Sequence, residues 1–66
     1  MNFSRSLKEL RKEKNLTQIG LAELIGVRDS SIRDWENKGK QPSYEILCKL
    51  AKIFGVTVGQ LLGVEE

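Results

Sequence analysis

Apolar residues recur along this chain at intervals of three and four, in blocks separated by glycine, asparagine and proline. Phe3, Leu7 and Leu10 repeat at helical spacing, with Lys8, Glu9, Lys12 and Glu13 on the other face, the signature of an amphipathic helix. The spacing predicts a helix over 3–14, with Asn2 as its N-cap. Asn15 can close it in the left-handed conformation, and Leu16 supplies the apolar contact that often accompanies such an end. Thr17 caps a second helix that runs to about Ile25, with Leu21, Ala22 and Ile25 as its inward stripe. Gly26 and Val27 then repeat the same kind of ending.

A third helix, from about Asp29 to Asn37, has only Ile32 and Trp35 as large apolar residues. One thin side is buried and the rest faces outward, so something other than core formation explains its polarity. Lys38-Gly39-Lys40-Gln41-Pro42 reads as a loop. Ser43 caps a fourth helix in which Leu47, Leu50, Ala51 and Phe54 follow an i, i+3, i+4, i+7 pattern. Gly55 and Val56 end it. Thr57 to Gln60 reads as a capping box for a short fifth helix through Leu62, ending at Gly63. With no strand signal, the expected fold is all-α: five short helices in a compact bundle, forming a single domain over 1–66.

Composition narrows the chemistry. A chain of 66 residues has room for one small core, since chains this short bury only about 60% of the surface they expose when unfolded. Cys48 stands alone, which excludes an internal disulfide and suits a reducing compartment. With no histidine and no second cysteine, no metal site is expected. No apolar run approaches the roughly 20 residues needed to cross a bilayer, and Met1-Asn2-Phe3-Ser4-Arg5 lacks a signal-peptide core. The expectation is a soluble, cytoplasmic protein without a membrane partner. The net charge is +2 and the pI about 8.9, just under the value of about 9 that marks strongly basic nucleic-acid modules. Charge alone is therefore weak support for DNA. No paired acid–base groups, activated nucleophile or phosphate loop is evident, so neither an enzyme nor a cofactor is expected.

Two short helices joined by Gly26-Val27-Arg28, the second of them polar, match the helix-turn-helix layout. In that motif the second helix enters the major groove while the first crosses the backbone. Leu16-Thr17-Gln18, Leu21-Ala22, Ile25-Gly26-Val27, Ile32, Trp35-Glu36-Asn37 and Pro42-Ser43 resemble the repressor/Cro-type, or Xre-like, helix-turn-helix family, from about Leu7 to Leu62. The resemblance implies a lambda-repressor-like fold and a sequence-specific regulator of transcription that binds double-stranded DNA, a repressor of prokaryotic or phage type. It places the first helix of the motif at Gln18–Ile25 and the recognition helix at about Asp29–Asn37. By the same resemblance Asp29, Ser30 and Asp34 reach base edges, with Arg28 and Arg33 at the margins. Thr17 and Gln18 would touch the backbone, and Asn37, Lys38 and Lys40 would grip phosphate across the groove. Arg11 and Glu36 match a pair that forms a structural salt bridge between helices 1 and 3.

Five positions depart from the family pattern. Asp29 and Asp34 put carboxylates where Gln, Ser, Thr or Arg are more usual. A carboxylate there repels phosphate but can accept from cytosine N4; the alternative is that one of them caps helix 3 or pairs with Arg33. Arg28 stands where a Ser or Thr N-cap is usual, leaving Asp29 to take over the cap. Gly20 occupies the position where Glu commonly completes a capping box with Thr17, and it costs about 0.5–1 kcal/mol relative to Ala. Ile19 is apolar at a normally polar, exposed position and carries no assigned function. Trp35 reads as core and Cys48 as a small, partly buried filler, while Lys8, Lys12, Lys14, Lys49 and Lys52 read as solubilising charges. Ile46, Ile53, Val58 and Val64 are expected to help form a symmetric homodimer, at least on DNA, since such operators present two half-sites. With one domain filling the chain, no sensor region or small-molecule ligand is expected. The rival reading is a protein-interaction module that keeps the fold without specific DNA binding, supported by Asp29, Asp34 and the small positive balance.

Overall fold

Helix follows helix through the computed structural model, which describes residues 3–64. The elements are α1 (Phe3–Glu13), α2 (Gln18–Ile25), α3 (Asp29–Asn37), α4 (Tyr44–Phe54) and α5 (Val58–Leu62), and no strand occurs among the described residues. The all-α expectation holds, with α1 one residue shorter than the predicted 3–14 because Lys14 already belongs to the turn. The expected cap at Asn2 lies outside the described residues.

The elements begin and end through a few repeated local devices. Thr17, Ser43 and Thr57 each sit in extended backbone and accept a hydrogen bond from the amide three residues on. Thr57 and Gln60 complete the reciprocal capping box. At the other ends the chain turns left-handed at Asn15 (φ 57°), Gly26 (φ 75°), Gly55 (φ 68°) and Gly63. In each case the amide of the following residue returns to a carbonyl five positions back: Leu16 to Arg11, Val27 to Ala22, Val56 to Ala51, Val64 to Gly59. This is the six-to-one bond of a Schellman ending. At Gly26 and Gly55 a side chain would find open space, so glycine is required there by the backbone angle alone. Leu16, Val27 and Val56 then fold back onto the core.

Each helix contributes one completely buried aliphatic side chain: Leu7, Leu21, Ile32, Leu50 and Leu61. These meet at the centre, and Phe3, Ile25, Trp35, Leu47 and Phe54 close around them. Trp35 is core, as its spacing from Ile32 predicted, and Cys48 is half-buried beside the α4 stripe. The Ser4 hydroxyl donates to the carbonyl of Trp35, tying the start of α1 to the end of α3. The effect of the packing is to hold α2 and α3 against a base made of α1, α4 and α5 while leaving one side of α3 uncovered.

Candidate nucleic-acid interface

The underside of α3 is Ile32, Trp35 and Glu36, all buried. At about 100° per residue, the opposite side falls on Ser30, Arg33, Asp34 and Asn37. Ser30, Arg33 and Asn37 are exposed and Asp34 is half-exposed. The outward face carries no apolar side chain, while the underside is fully packed.

What fixes the attitude of this face is a buried polar node. Arg11 Nε donates to Glu36 Oε2 at 2.7 Å and Arg11 Nη2 to Glu36 Oε1 at 3.0 Å, a bidentate arrangement of the strong, directional kind. The Glu36 side chain is fully shielded and that of Arg11 nearly so. Arg11 Nη1 donates to the Leu16 carbonyl at 2.8 Å, and Gln18 Nε2 donates to Glu36 Oε1 at 3.2 Å. The Glu36 hydrogen bond holds the Arg11 pKa above its ordinary value, against the opposing effect of burial. The bridge expected from the resemblance is present, and it is larger than expected: it joins α1, the α1–α2 turn, α2 and α3. The bond from Gln18 and the one to Leu16 were not anticipated, because Gln18 was assigned to the DNA backbone and carbonyl partners leave no mark in a sequence.

Thr17 and Gln18 lie at the start of α2, with Thr17 Oγ1 accepting from the Gly20 amide at 2.9 Å. Gly26, Val27 and Arg28 then carry the chain into α3. Here one expectation is corrected. Arg28, not Asp29, is the N-cap of α3, in extended backbone with no side-chain cap bond. The Schellman ending of α2 sets the direction of the chain and leaves residue 28 in the cap conformation whatever its side chain. Asp29 is the first helical residue and pairs instead with Arg33, Oδ2 to Nη1 at 3.6 Å. Asp34 pairs in the same i,i+4 sense with Lys38 at 3.7 Å. Both pairs have the acid N-terminal to the base, the more favourable order on a helix. Arg28 and Lys40 carry no ion pair among the described residues. Asn37, Lys38 and Lys40 are all exposed at the exit of α3.

The residues expected on a dimer surface are placed less uniformly. Ile46, Ile53 and Val58 are half-buried against the core, and only Val64 is largely exposed. Leu24, not anticipated, is 58% exposed and borders a shallow groove with Ile25, Ile53, Lys49 and Lys52. Its position off the inward stripe of Leu21, Ala22 and Ile25 was the available signal. Ile19 is exposed, as expected. No cluster of metal-ligating side chains occurs among the described residues, and no described helix is long and apolar enough to cross a membrane.

A capped helix, a glycine turn and a second helix with a buried apolar underside and a polar outer face define a helix-turn-helix of lambda-repressor type. Residues 7–61 match the helix-turn-helix family, and the chain belongs to it. All 66 residues align with the HTH-type transcriptional activator BcrR of Enterococcus faecalis at 42% identity, covering 32% of that protein. They align with the HTH-type transcriptional regulator AnsR of Bacillus subtilis at 41% identity, covering 56% of it. The cryptic phage CTXphi transcriptional repressor RstR of Vibrio cholerae is 34% identical over 97% of this chain and 58% of its own length. The chain thus spans from about a third to nearly three-fifths of these relatives' lengths.

Proposed function

We propose that residues 1–66 act as a DNA-binding domain that reads duplex DNA with α3 in the major groove and regulates transcription as a repressor, by occluding the duplex it covers. The observation that carries this reading is the outer face of α3: Ser30, Arg33, Asp34 and Asn37 presented together on a helix locked from beneath by Arg11, Glu36 and Gln18. In this reading Asp29, Ser30 and Asp34 face base edges and Arg28 and Arg33 flank them. Thr17 and Gln18 lie at phosphate on the α2 side, and Asn37, Lys38 and Lys40 on the other. Phosphate contacts set the register and base contacts the sequence. Gln18 keeps a second amide hydrogen for a phosphate while the first is held by Glu36. Relatives named as activator, regulator and repressor of transcription support the class. Catalysis, cofactors and small-molecule ligands form no part of the proposal.

On DNA the domain acts as a homodimer. Its longest dimension, 28 Å, lets two copies lie side by side on half-sites about 34–36 Å apart. Val64 and Leu24 supply the exposed apolar surface that Ile46, Ile53 and Val58 offer only in part.

The second reading, a protein-interaction module, is favoured by one observation: both carboxylates of the α3 face are paired with the nearest cations, which lowers its free positive charge. Selection from a randomised duplex pool at two salt concentrations separates the readings. Enrichment of a short palindromic site supports the regulator. No retention of any duplex at low salt removes it in favour of the interaction module.

A further inference from the structure

The two acid–base pairs on α3 are alike in spacing and unlike in chemistry. Asp34 pairs with Lys38, a mobile point charge past the end of the helix. Asp29 pairs with Arg33, whose planar guanidinium carries a rigid fork of donors. Side chains on a helix lean toward its N-terminus, so Arg33 lies along the first turn of α3, the part that a recognition helix inserts among bases. The pair is open to solvent, with the Arg33 side chain 55% and that of Asp29 46% exposed. The contact uses Oδ2 of Asp29 and one terminal nitrogen of Arg33, leaving the other terminal nitrogen and Nε unengaged.

An arginine in this position matches guanine, whose O6 and N7 accept two parallel hydrogen bonds in the major groove. A long, freely rotating side chain loses much conformational freedom when it makes such a contact, and a carboxylate 3.6 Å away that weakly restrains it beforehand reduces that loss. The restraint strengthens as the groove excludes water and the local dielectric falls. Asp29 would otherwise be an unfavourable neighbour of phosphate; paired with Arg33, it becomes useful.

Resting on the reading of α3 as a recognition helix, but moving Arg33 from its margin onto a base, we propose that Asp29 and Arg33 form one composite reader of a G·C base pair. Arg33 donates to guanine O6 and N7, and Asp29 is a positioning residue that aims the guanidinium.

The test is selection of sites from a randomised duplex pool by the wild-type chain and by Asp29→Asn, Arg33→Ala and Arg33→Lys, followed by binding titrations on the enriched duplex and on its variants at each position. Circular dichroism confirms that each variant is folded, as expected for solvent-exposed positions. The wild type should select a fixed guanine and discriminate against other bases there by about 5- to 150-fold. Arg33→Ala should abolish preference at that position alone, and Arg33→Lys should lower it several-fold despite the retained charge. Asp29→Asn should bind unrelated duplex more tightly, through lost repulsion, while discrimination at the guanine falls. An Asp29→Asn variant that binds every sequence more tightly by one common factor, with discrimination intact, overturns the positioning role. An enriched site with no guanine dependent on Arg33 overturns the composite reader and leaves the DNA-binding reading standing. Failure of the wild type to retain any duplex at low salt overturns both.

Discussion

Replacing Arg11 with methionine keeps most of the packing of its aliphatic stem and removes the guanidinium, which leaves Glu36 as a shielded carboxylate facing one amide hydrogen from Gln18. The Leu16 carbonyl loses its Arg11 donor as well. Breaking a buried pair in this way typically costs about 3–5 kcal/mol. A domain of 66 residues has about 3–10 kcal/mol of stability in total, at roughly 0.05–0.15 kcal/mol per residue. Arg11→Met should therefore lose between a third and nearly all of it.

Urea denaturation followed by circular dichroism measures this directly. The double variant Arg11→Met/Glu36→Leu removes both charges and should recover most of the loss, short by about 1–3 kcal/mol for the Leu16 carbonyl left without its Arg11 donor. A deficit under 1 kcal/mol for Arg11→Met, or a double variant no more stable than the single one, would refute the account of the node as a buried charge pair that the fold depends on.

Three further outcomes follow from the same geometry. Gly20→Gln should stabilise by about 0.5–1.5 kcal/mol, raising the thermal midpoint by several degrees. An added Cβ meets Thr17 Oγ1 at 3.1 Å, but Thr57 and Gln60 accommodate the same arrangement on a nearly identical cap backbone; a lower midpoint would show that α2 cannot give way as α5 does. Leu50→Ala at the fully buried centre should cost about 2–5 kcal/mol in a urea titration, and a loss below 1 kcal/mol would contradict the close packing of the core. Lys38→Ala removes a cation placed at phosphate and should flatten the log–log salt dependence of DNA binding by about one phosphate's worth, near 0.9; an unchanged slope in filter binding would place Lys38 off the DNA.

Helix positions were readable because their ends are written in short-range chemistry. Asn15-Leu16, Gly26-Val27 and Gly55-Val56 announce a left-handed ending, and Thr17, Ser43 and Thr57 announce a beginning. The inward stripes of α1 and α4 were readable for the same reason, since helical periodicity is a local property. Arg11 and Glu36 were placed correctly only through resemblance: 25 residues separate them, and no local rule pairs an arginine on one helix with a glutamate on another. The cap of α3 was misread because side-chain chemistry favoured Asp29, whereas the backbone trajectory out of α2 decided the matter in favour of Arg28. How far Ile46, Ile53 and Val58 turn inward was not legible, because an apolar residue beside a core stripe can be half-buried and periodicity cannot tell how far.

The division of labour within α3 bears on how such a domain can change what it reads. Its underside is committed twice, to aliphatic packing through Ile32 and Trp35 and to the polar node through Glu36. Its outer face is committed only to weak, solvent-exposed pairs, each contributing about 0.2–1 kcal/mol to folding. Substitutions at Ser30, Arg33, Asp34 and Asn37 should therefore change stability little, while a change that removes only one partner of the Arg11–Glu36 pair should remove a large share of it. The four outer positions can be altered singly or together to test base preference without confounding loss of fold, whereas the node beneath them must stay intact for the result to be interpretable.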